Sequence, residues 1–234
     1  MHHFRAPDAR RFVSASLMIG IAFVIFGASF GDLSVSAGAS VAQSCAMSLL
    51  VFTGASQMSA VSVLASGGTV ASAFGGAVLL SGRNAVYGLA MSPVLKQGSL
   101  ASRLLGAQWV IDETTAVVSA ETDPATRRTA FWISGAILYA SWNIGTLLGA
   151  LVGSSINPSD FGLDAAFPVM FTAMIAPHLR TSAGRKAALF GAVAAVALAP
   201  FMPIGLPILV SALGMLFGMS PTSSDPNVKT DGAP

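Results

Sequence analysis

A run of fifty residues without a formal charge, residues 33–82 between Asp32 and Arg83, constrains this chain more than any other feature. The run consists mostly of Ala, Val, Leu, Ser and Gly. A bilayer core of about 30 Å needs roughly 20 helical residues per crossing. The run is therefore too long for one transmembrane helix and long enough for two.

The composition supports the same interpretation for the whole chain. Of the 234 residues, 53% are hydrophobic and only 9% are charged, whereas a soluble domain has about 25% charged residues. The apolar runs are continuous, and strands of a membrane barrel would alternate over about ten residues. We therefore predict an all-α fold, a polytopic transmembrane bundle of seven to eight helices. The expected spans are 12–30, 40–65, 69–95, 100–120, 130–152, 164–179 and 187–199, with a last apolar run to residue 219.

The two ends of the chain differ from this apolar body. Residues 1–11 are basic and are predicted to form a cytoplasmic segment ahead of a retained first span. Residues 220–234 are rich in Pro, Ser and Asp and are predicted to be disordered. Residues 12–219 are then predicted to form the transmembrane domain.

Glycines beside polar residues interrupt the second and third expected spans. Gly54 precedes Ser56 and Gln57, and Gly82 precedes Arg83 and Asn84. Unpaired backbone groups in hydrocarbon cost several kcal/mol each unless protein or water satisfies them. Transporters build substrate sites from discontinuous helices of this kind. We predict helix breaks near Gly54 and Gly82 that meet around a polar site, with capping of the broken backbone as an equally good role for the polar side chains.

Three charged residues, Arg83, Asp112 and Glu113, lie deepest in apolar surroundings. A charge at the membrane centre costs about 2.5–3.5 kcal/mol, so it usually faces a partner or a water-filled cavity. Arg83 could hold a substrate carboxylate or pair with either acid, and either acid could carry a proton. A purely structural ion pair is the alternative.

Other classes of function lack their sequence signals. The single cysteine, Cys45, rules out an internal disulfide and a multi-cysteine metal site. No phosphate-binding loop or dinucleotide fingerprint occurs, so we expect no cofactor and no ATP hydrolysis by this chain. The net charge of +2, scattered over short loops, gives no surface for nucleic acid.

The basic residues leave the topology open. If every span crosses once, the N-terminus and the loop with Arg127 and Arg128 are cytoplasmic, but Lys96 and Arg103 are outside. Either this loop is an exception or one broken segment is re-entrant. A faint internal repeat relates residues 31–54 to residues 153–177, with a small-residue helix end and a helix breaker in each.

Four ordered segments resemble the AzlC family, the large subunits of branched-chain amino acid exporters, also called the YgaZ or BrnF type. Residues 49–57 (LLVFTGASQ) resemble its F-x-G-A-S-Q segment, and residues 83–88 (RNAVYG) resemble R-H-x-x-Y-G. Residues 111–114 (IDET) resemble its T-D-E segment, and residues 162–168 resemble its later G-L-D segment. Asn84 stands where the family usually has His, and Ile111 where it usually has Thr.

The resemblance implies export of branched-chain amino acids, with Met as an additional substrate, across the inner membrane of a bacterium. It also implies a small membrane partner of the AzlD type. The candidate substrate-binding or coupling residues are Gly54, Ser56, Gln57, Arg83, Asn84, Tyr87, Asp112 and Glu113.

Two other functions stay open at this point. The chain could be a structural or assembly subunit whose polar breaks bind a neighbouring protein. It could also be an intramembrane serine hydrolase that uses Ser29 or Ser81 with His178.

Overall fold

The computed structural model describes residues 6–96, 98–153, 172, 175–176, 178–202 and 206–214. The chain divides into two compact units, residues 1–171 and 172–234. In the described residues all regular secondary structure is helical, which confirms the all-α class. The first unit contains helices α1 (Ala6–Ser36), α2 (Val41–Leu50), α3 (Ala55–Ala65), α4 (Val70–Leu95), α5 (Leu100–Gln108), α6 (Asp112–Ser119) and α7 (Pro124–Gly153).

The second unit contains α8 (Ser182–Leu198) and α9 (Leu206–Ser211), with single 3₁₀ turns at His178–Arg180 and Ala212–Gly214. The hydroxyl of Thr181 caps α8 by accepting a hydrogen bond from the backbone N–H of Gly184 at 3.0 Å. The expected span 164–179 lies mostly outside the described residues. The segment 1–5, the tail 220–234 and most of the second copy of the internal repeat also lie outside them.

Helices α1 and α7 pack together through two interlocking rows of glycine. A Cβ atom at any of these glycines would overlap the backbone of the facing helix. Small residues let two helices approach this closely, as the four-residue spacing of the glycines predicts. The contacts pair Gly27 with Trp142, Gly31 with Thr146, Gly145 with Val24, and Gly149 with Ala28.

The two helices run in the same direction, because the contacts advance along both chains together. Gly20 faces Ser141 near the middle of the pair, and Asp32 faces Gly153 near its end. At the other end, the Nη2 atom of Arg11 lies 2.7 Å from Oε2 of Glu121, which is three residues before the start of α7. The α1–α7 pair therefore has an N-terminal end, where both helices begin, and a C-terminal end, where both finish.

Helix α4 runs in the opposite direction. Its last turns, with Met91 and Val94, share a buried cluster with Phe12 from the start of α1 and Phe131 from the first half of α7. Its 26 residues measure about 39 Å at 1.5 Å per residue. Because α4 ends beside the N-terminal end of the α1–α7 pair, it begins at the C-terminal end.

The positions of these three long helices determine at which end of the unit each of the two broken segments begins and ends. The segment α2–α3 follows the end of α1 and precedes the start of α4, and both of these lie at the C-terminal end of the pair. The segment α5–α6 joins the end of α4 to the start of α7, and both of these lie at the N-terminal end. Each segment is therefore a helical hairpin, and the two hairpins enter the unit from opposite ends.

The break near Gly54 is confirmed, and the break near Gly82 is wrong. Residues 51–54 are not helical, and Gly54 has φ +62°. Helix α4 is continuous through Gly82, where a Cβ would meet no atom within 4 Å. A single glycine inside a helix costs about 1 kcal/mol relative to Ala, which packing easily overrides.

The second break lies instead in the segment expected to form one span over 100–120. Residues 109–111 separate α5 from α6. The hydroxyl of Thr114 accepts a hydrogen bond from the N–H of Ile111 at 3.1 Å and donates to the carbonyl of Trp109 at 2.7 Å. Such local side-chain bonds offer the backbone an alternative to the helix. The expected single helix over 100–120 is therefore wrong.

Candidate functional site

The tip of the first hairpin, residues 51–54 between α2 and α3, is closed by the side chain of Gln57. Its Oε1 atom accepts hydrogen bonds from the N–H groups of Gly54 at 3.2 Å and Thr53 at 3.4 Å. Its Nε2 atom donates to the carbonyl of Met47, in the last turn of α2, at 3.1 Å. The side chain is buried, with a residue exposure of 1%. A single amide therefore satisfies backbone groups on both sides of the break, which is the capping role considered for it.

The other two candidates of this tip, Gly54 and Ser56, also shape the break. Gly54 has φ +62° and ψ −90°, a conformation that glycine adopts easily and other residues rarely do. A Cβ atom there would meet only the ring of Trp142, at 3.8 Å, so the constraint is conformational rather than steric. The buried hydroxyl of Ser56 is hydrogen-bonded to the hydroxyl of Thr53.

Two side chains that the sequence did not single out bind the carbonyl end of α2. The carbonyl of Leu49 accepts a hydrogen bond from the hydroxyl of Tyr139 at 2.9 Å, and a second one from Nε2 of Gln108. The last carbonyls of a helix have no partner within the helix. Gln108 ends α5, so this bond joins the tips of the two hairpins. Its amide in an apolar segment was the available sequence signal.

The charged candidates lie around the tip of the second hairpin, residues 109–111 between α5 and α6. Asp112 and Glu113 are the first two residues of α6, where the helix dipole favours acidic side chains. Nη1 of Arg83, on α4, lies 2.6 Å from Oδ2 of Asp112. The two side chains are 35% and 34% exposed, so the pair can be reached from outside the protein. The ion pair that was an alternative for Arg83 is therefore formed, and it fastens α4 to the tip.

The remaining candidates adjoin this ion pair. Tyr87, one turn after Arg83, packs against the cluster at the end of α4. Asn84 is half-buried and has no hydrogen-bond partner among the described residues. Glu113 is half-buried next to Asp112 and makes no ion pair within the described part of the chain. The eight candidates thus form two groups, one at each hairpin tip, rather than one cluster.

An aromatic group lies between the two tips. Phe52 of the first tip packs edge-on against Tyr139, with ring centroids 5.2 Å apart. Trp109 of the second tip packs against the same tyrosine at 5.7 Å. Trp142 completes the group, 6.5 Å from Phe52. The polar groups of the tips therefore border a wall of aromatic rings on α7.

Asp32 is a second feature that the sequence did not predict. It was expected in a short loop, but it lies inside α1, is 8% exposed, and its Oδ1 atom has no hydrogen-bond partner. Its carboxylate faces Gly153 at the end of α7. Residues 33–82 and 129–179 contain no Lys or Arg, so the neighbouring segments of the chain supply no basic partner.

Comparison with known proteins decides the family. The sequence model described as AzlC protein matches residues 18–156, more than half of the chain. The chain belongs to the AzlC family. The inner membrane protein YgaZ of Escherichia coli K12 is 29% identical over 206 residues, 82% of this chain and 84% of that protein. An uncharacterized membrane protein of Helicobacter pylori is 26% identical over 226 residues, 93% of this chain and 97% of its own length. No solved structure matches the chain.

The surface of this AzlC protein is that of a membrane protein. Large apolar side chains point outward, for example Met18 at 73% exposure and Leu89 at 78%. Small polar side chains such as Ser44, Ser48 and Thr146 are buried instead. Helices over Ala9–Ser36 and Pro124–Gly153 are long and apolar enough to cross a bilayer. Together with the membrane proteins among its relatives, these features support a membrane role related to transport.

The serines considered for a hydrolase are engaged locally. The hydroxyls of Ser29 and Ser81 donate to the carbonyls of Ile25 at 3.1 Å and Ala77 at 2.8 Å in their own helices. The side chain of His178 lies outside the described part of the chain. Among the described residues, no group of three or more His, Cys, Asp or Glu side chains is arranged to hold a metal ion.

Proposed function

We propose that this AzlC protein is the large subunit of a secondary transporter that exports branched-chain amino acids, and Met, from the bacterial cytoplasm. It would work with a small membrane subunit of the AzlD type and span the inner membrane several times. The observation that carries the proposal is the meeting of two hairpin tips, joined by the bond from Gln108 to the carbonyl of Leu49. Transporters bind substrates where discontinuous helices expose polar backbone near the bilayer centre.

The chemistry at the tips suits a zwitterion with an apolar side chain. Arg83 offers a cation for a substrate carboxylate, and it is already held by Asp112. Glu113, half-buried beside them without an ion pair among the described residues, leaves an acid for the substrate ammonium or for a coupling proton. Phe52, Tyr139 and Trp109 provide apolar surface, and Trp109 lies three residues before Asp112. A substrate would therefore compete with Asp112 for Arg83.

The source of energy follows from the sequence. The chain contains no phosphate-binding loop, so an ion gradient or a separate subunit must drive net export. A deep charged residue that faces a partner is a typical element of proton-coupled transport. We assign this coupling to the pair of acids that begins α6 rather than to Asn84, which cannot titrate.

The test is an export assay in cells that lack their own branched-chain exporters. Cells that express the chain with its small membrane subunit are fed dipeptides of Leu, Ile, Val or Met, and the free amino acid inside is measured. We expect the native pair to lower this accumulation, and Arg83→Ala to abolish the effect at equal membrane abundance. Arg103→Ala, which removes an exposed basic residue of α5, is the matched control and should export normally.

Two results would contradict the proposal. Accumulation that is unchanged by the native pair for all four amino acids would remove the proposed substrate class. Normal export by Arg83→Ala would remove the assigned role of this residue.

A substrate-dependent rise in the melting temperature of the purified chain, without its partner, separates a substrate-binding subunit from an assembly subunit, because only a ligand that binds the folded chain stabilises it.

A further inference from the structure

We infer that both broken segments are re-entrant in the membrane: α2–α3 dips in from outside the cell, α5–α6 dips in from the cytoplasm, and their tips meet in the interior. Of the five crossings expected up to Gly153, only α1, α4 and α7 would then span the bilayer. The inference concerns how the chain lies in the membrane and does not depend on the proposed substrate.

The lengths of the hairpin arms agree with this arrangement. Helices α2 and α3 have 10 and 11 residues, and α5 and α6 have 9 and 8. At 1.5 Å per residue each arm is about 12–17 Å long, roughly half of a 30 Å hydrocarbon core. An arm of this length reaches the bilayer centre and stops there. Two such arms of opposite hairpins would meet at the centre, as the tips do through Gln108 and Leu49.

Side chains hydrogen-bond to backbone groups at both tips, as backbone in the membrane interior requires. Non-helical backbone at this depth is tolerated only where protein or a water-filled cavity satisfies it. The side chain of Gln57 binds backbone groups on both sides of the first break. The hydroxyl of Thr114 binds those of the second break. Side chains therefore satisfy part of the broken backbone at each tip.

The charges give the orientation. The turns at the C-terminal end of the α1–α7 pair, residues 37–40 and 66–69, contain no charged residue. Among the described residues of the first unit, the basic side chains outside the bundle interior all belong to segments at the N-terminal end. Because Lys and Arg of short loops stay in the cytoplasm, this end is cytoplasmic. The basic residues described there are Arg10, Arg11, Lys96, Arg103, Arg127 and Arg128.

This arrangement removes a conflict in the charge pattern. If each broken segment crossed the membrane, Lys96 and Arg103 would lie outside the cell, against the charge rule. Such a chain would also place the end of α4 at the opposite end of the unit from Phe12, whereas Met91 and Phe12 belong to one buried cluster. Two re-entrant hairpins satisfy the charge rule and the packing together.

The test is the labelling of single cysteines in the full-length chain in bacterial cells. The native cysteine is first replaced by Cys45→Ser, and one exposed position in each turn or directly beside it is then changed. A membrane-impermeant maleimide is applied to intact cells and to permeabilised cells. The four variants are Ser36→Cys before α2, Ser66→Cys before α4, Ser99→Cys before α5, and Thr122→Cys before α7.

We expect positions 36 and 66 to react equally in intact and permeabilised cells, and positions 99 and 122 to react only after permeabilisation. A chain that crosses at every segment would show the reverse at 66 and 99 and the same result at 36 and 122, which therefore serve as internal controls. That reversal would overturn the inference. If a thiol fails to react in both states, a protease site inserted in the same turn reports its side by fragment size. Labelling of 99 and 122 alone in intact cells would overturn the assigned orientation.

Discussion

The glycine rows between α1 and α7 make a prediction whose sign can be worked out from the structure. A Cβ atom at Gly149 would lie 2.6 Å from the carbonyl carbon of Ala28, where ordinary contacts are 3.4–4 Å, and nearer still to the carbonyl oxygen. The obstacle is backbone, so it cannot rotate away. In Gly149→Ala the two helices must separate by roughly 1 Å, and such a gap forfeits about a quarter to a half of the dispersion energy of the facing atoms.

The expected loss is larger than the accompanying gain. Overpacking of a tight interface costs about 1–3 kcal/mol, and replacing a helical glycine by Ala returns roughly 0.5–1 kcal/mol. We therefore expect Gly149→Ala to lose about 1–2 kcal/mol of stability. Gly82→Ala adds the same methyl group in α4, where no atom lies within 4 Å, and should gain up to about 1 kcal/mol.

The assay is thermal unfolding of both variants and the native chain, purified in the same detergent. The predicted order of melting temperatures is Gly82→Ala highest, native chain next and Gly149→Ala lowest. The reverse order would refute the parallel α1–α7 packing. It would also restore Gly82 as the site of a helix break, because a broken backbone there would not accept a methyl group without cost.

The remaining predictions use the same unfolding assay. Gln57→Leu leaves the buried N–H of Gly54 without its partner, which should lower the stability by about 1–3 kcal/mol per unsatisfied group. The control Gln43→Leu removes an exposed capping bond of α2 and should cost far less stability. Equal losses in the two variants would contradict the capping role of Gln57. Gly54→Ala should lose about 1–3 kcal/mol through backbone strain at φ +62°, and an unchanged melting temperature would contradict this conformation. Asp32→Asn keeps the shape of the buried side chain but removes its negative charge, and should therefore raise the melting temperature at neutral pH. A lower melting temperature would show that the charge has a partner.

The first break and the α1–α7 contact could be predicted because each depends on local sequence. The polar residues after Gly54 can cap a broken helix by themselves, and Gln57 does so. Glycines four residues apart, such as Gly145 and Gly149, share one helix face whatever the neighbour is. In both cases the spacing along the chain already determines which groups can meet.

The position of the second break could not be predicted, because it depends on hydrogen bonds that leave no pattern in the sequence. Gly82 looked like a helix breaker, but α4 is held straight by its neighbours at both ends. The break at 109–111 depends on the hydroxyl of Thr114, one of many in the chain, and its tip is fixed by the distant carbonyl of Leu49. A mild helix preference is easily overridden by such tertiary contacts.

The hairpin arrangement could likewise not be predicted from the apolar pattern of the sequence. A segment of two short helices has the same hydrophobicity whether it crosses a membrane or turns back. The conflict over Lys96 and Arg103 was the one sequence signal, and the direction of α4 explains it. Asp32 escaped notice for a similar reason, because its burial depends on Gly153 from a distant part of the chain.

The meeting of the two hairpin tips is tested most directly by cross-linking in native membranes. Leu49→Cys and Gln108→Cys are combined in the Cys45→Ser chain and treated with a short bifunctional thiol reagent, and the linked peptides are identified by mass spectrometry. The control pair Ser34→Cys and Ser44→Cys replaces two hydroxyls that are 2.8 Å apart. If the tips meet, both pairs are linked. Efficient linking of the control pair without any linking of positions 49 and 108 would contradict it.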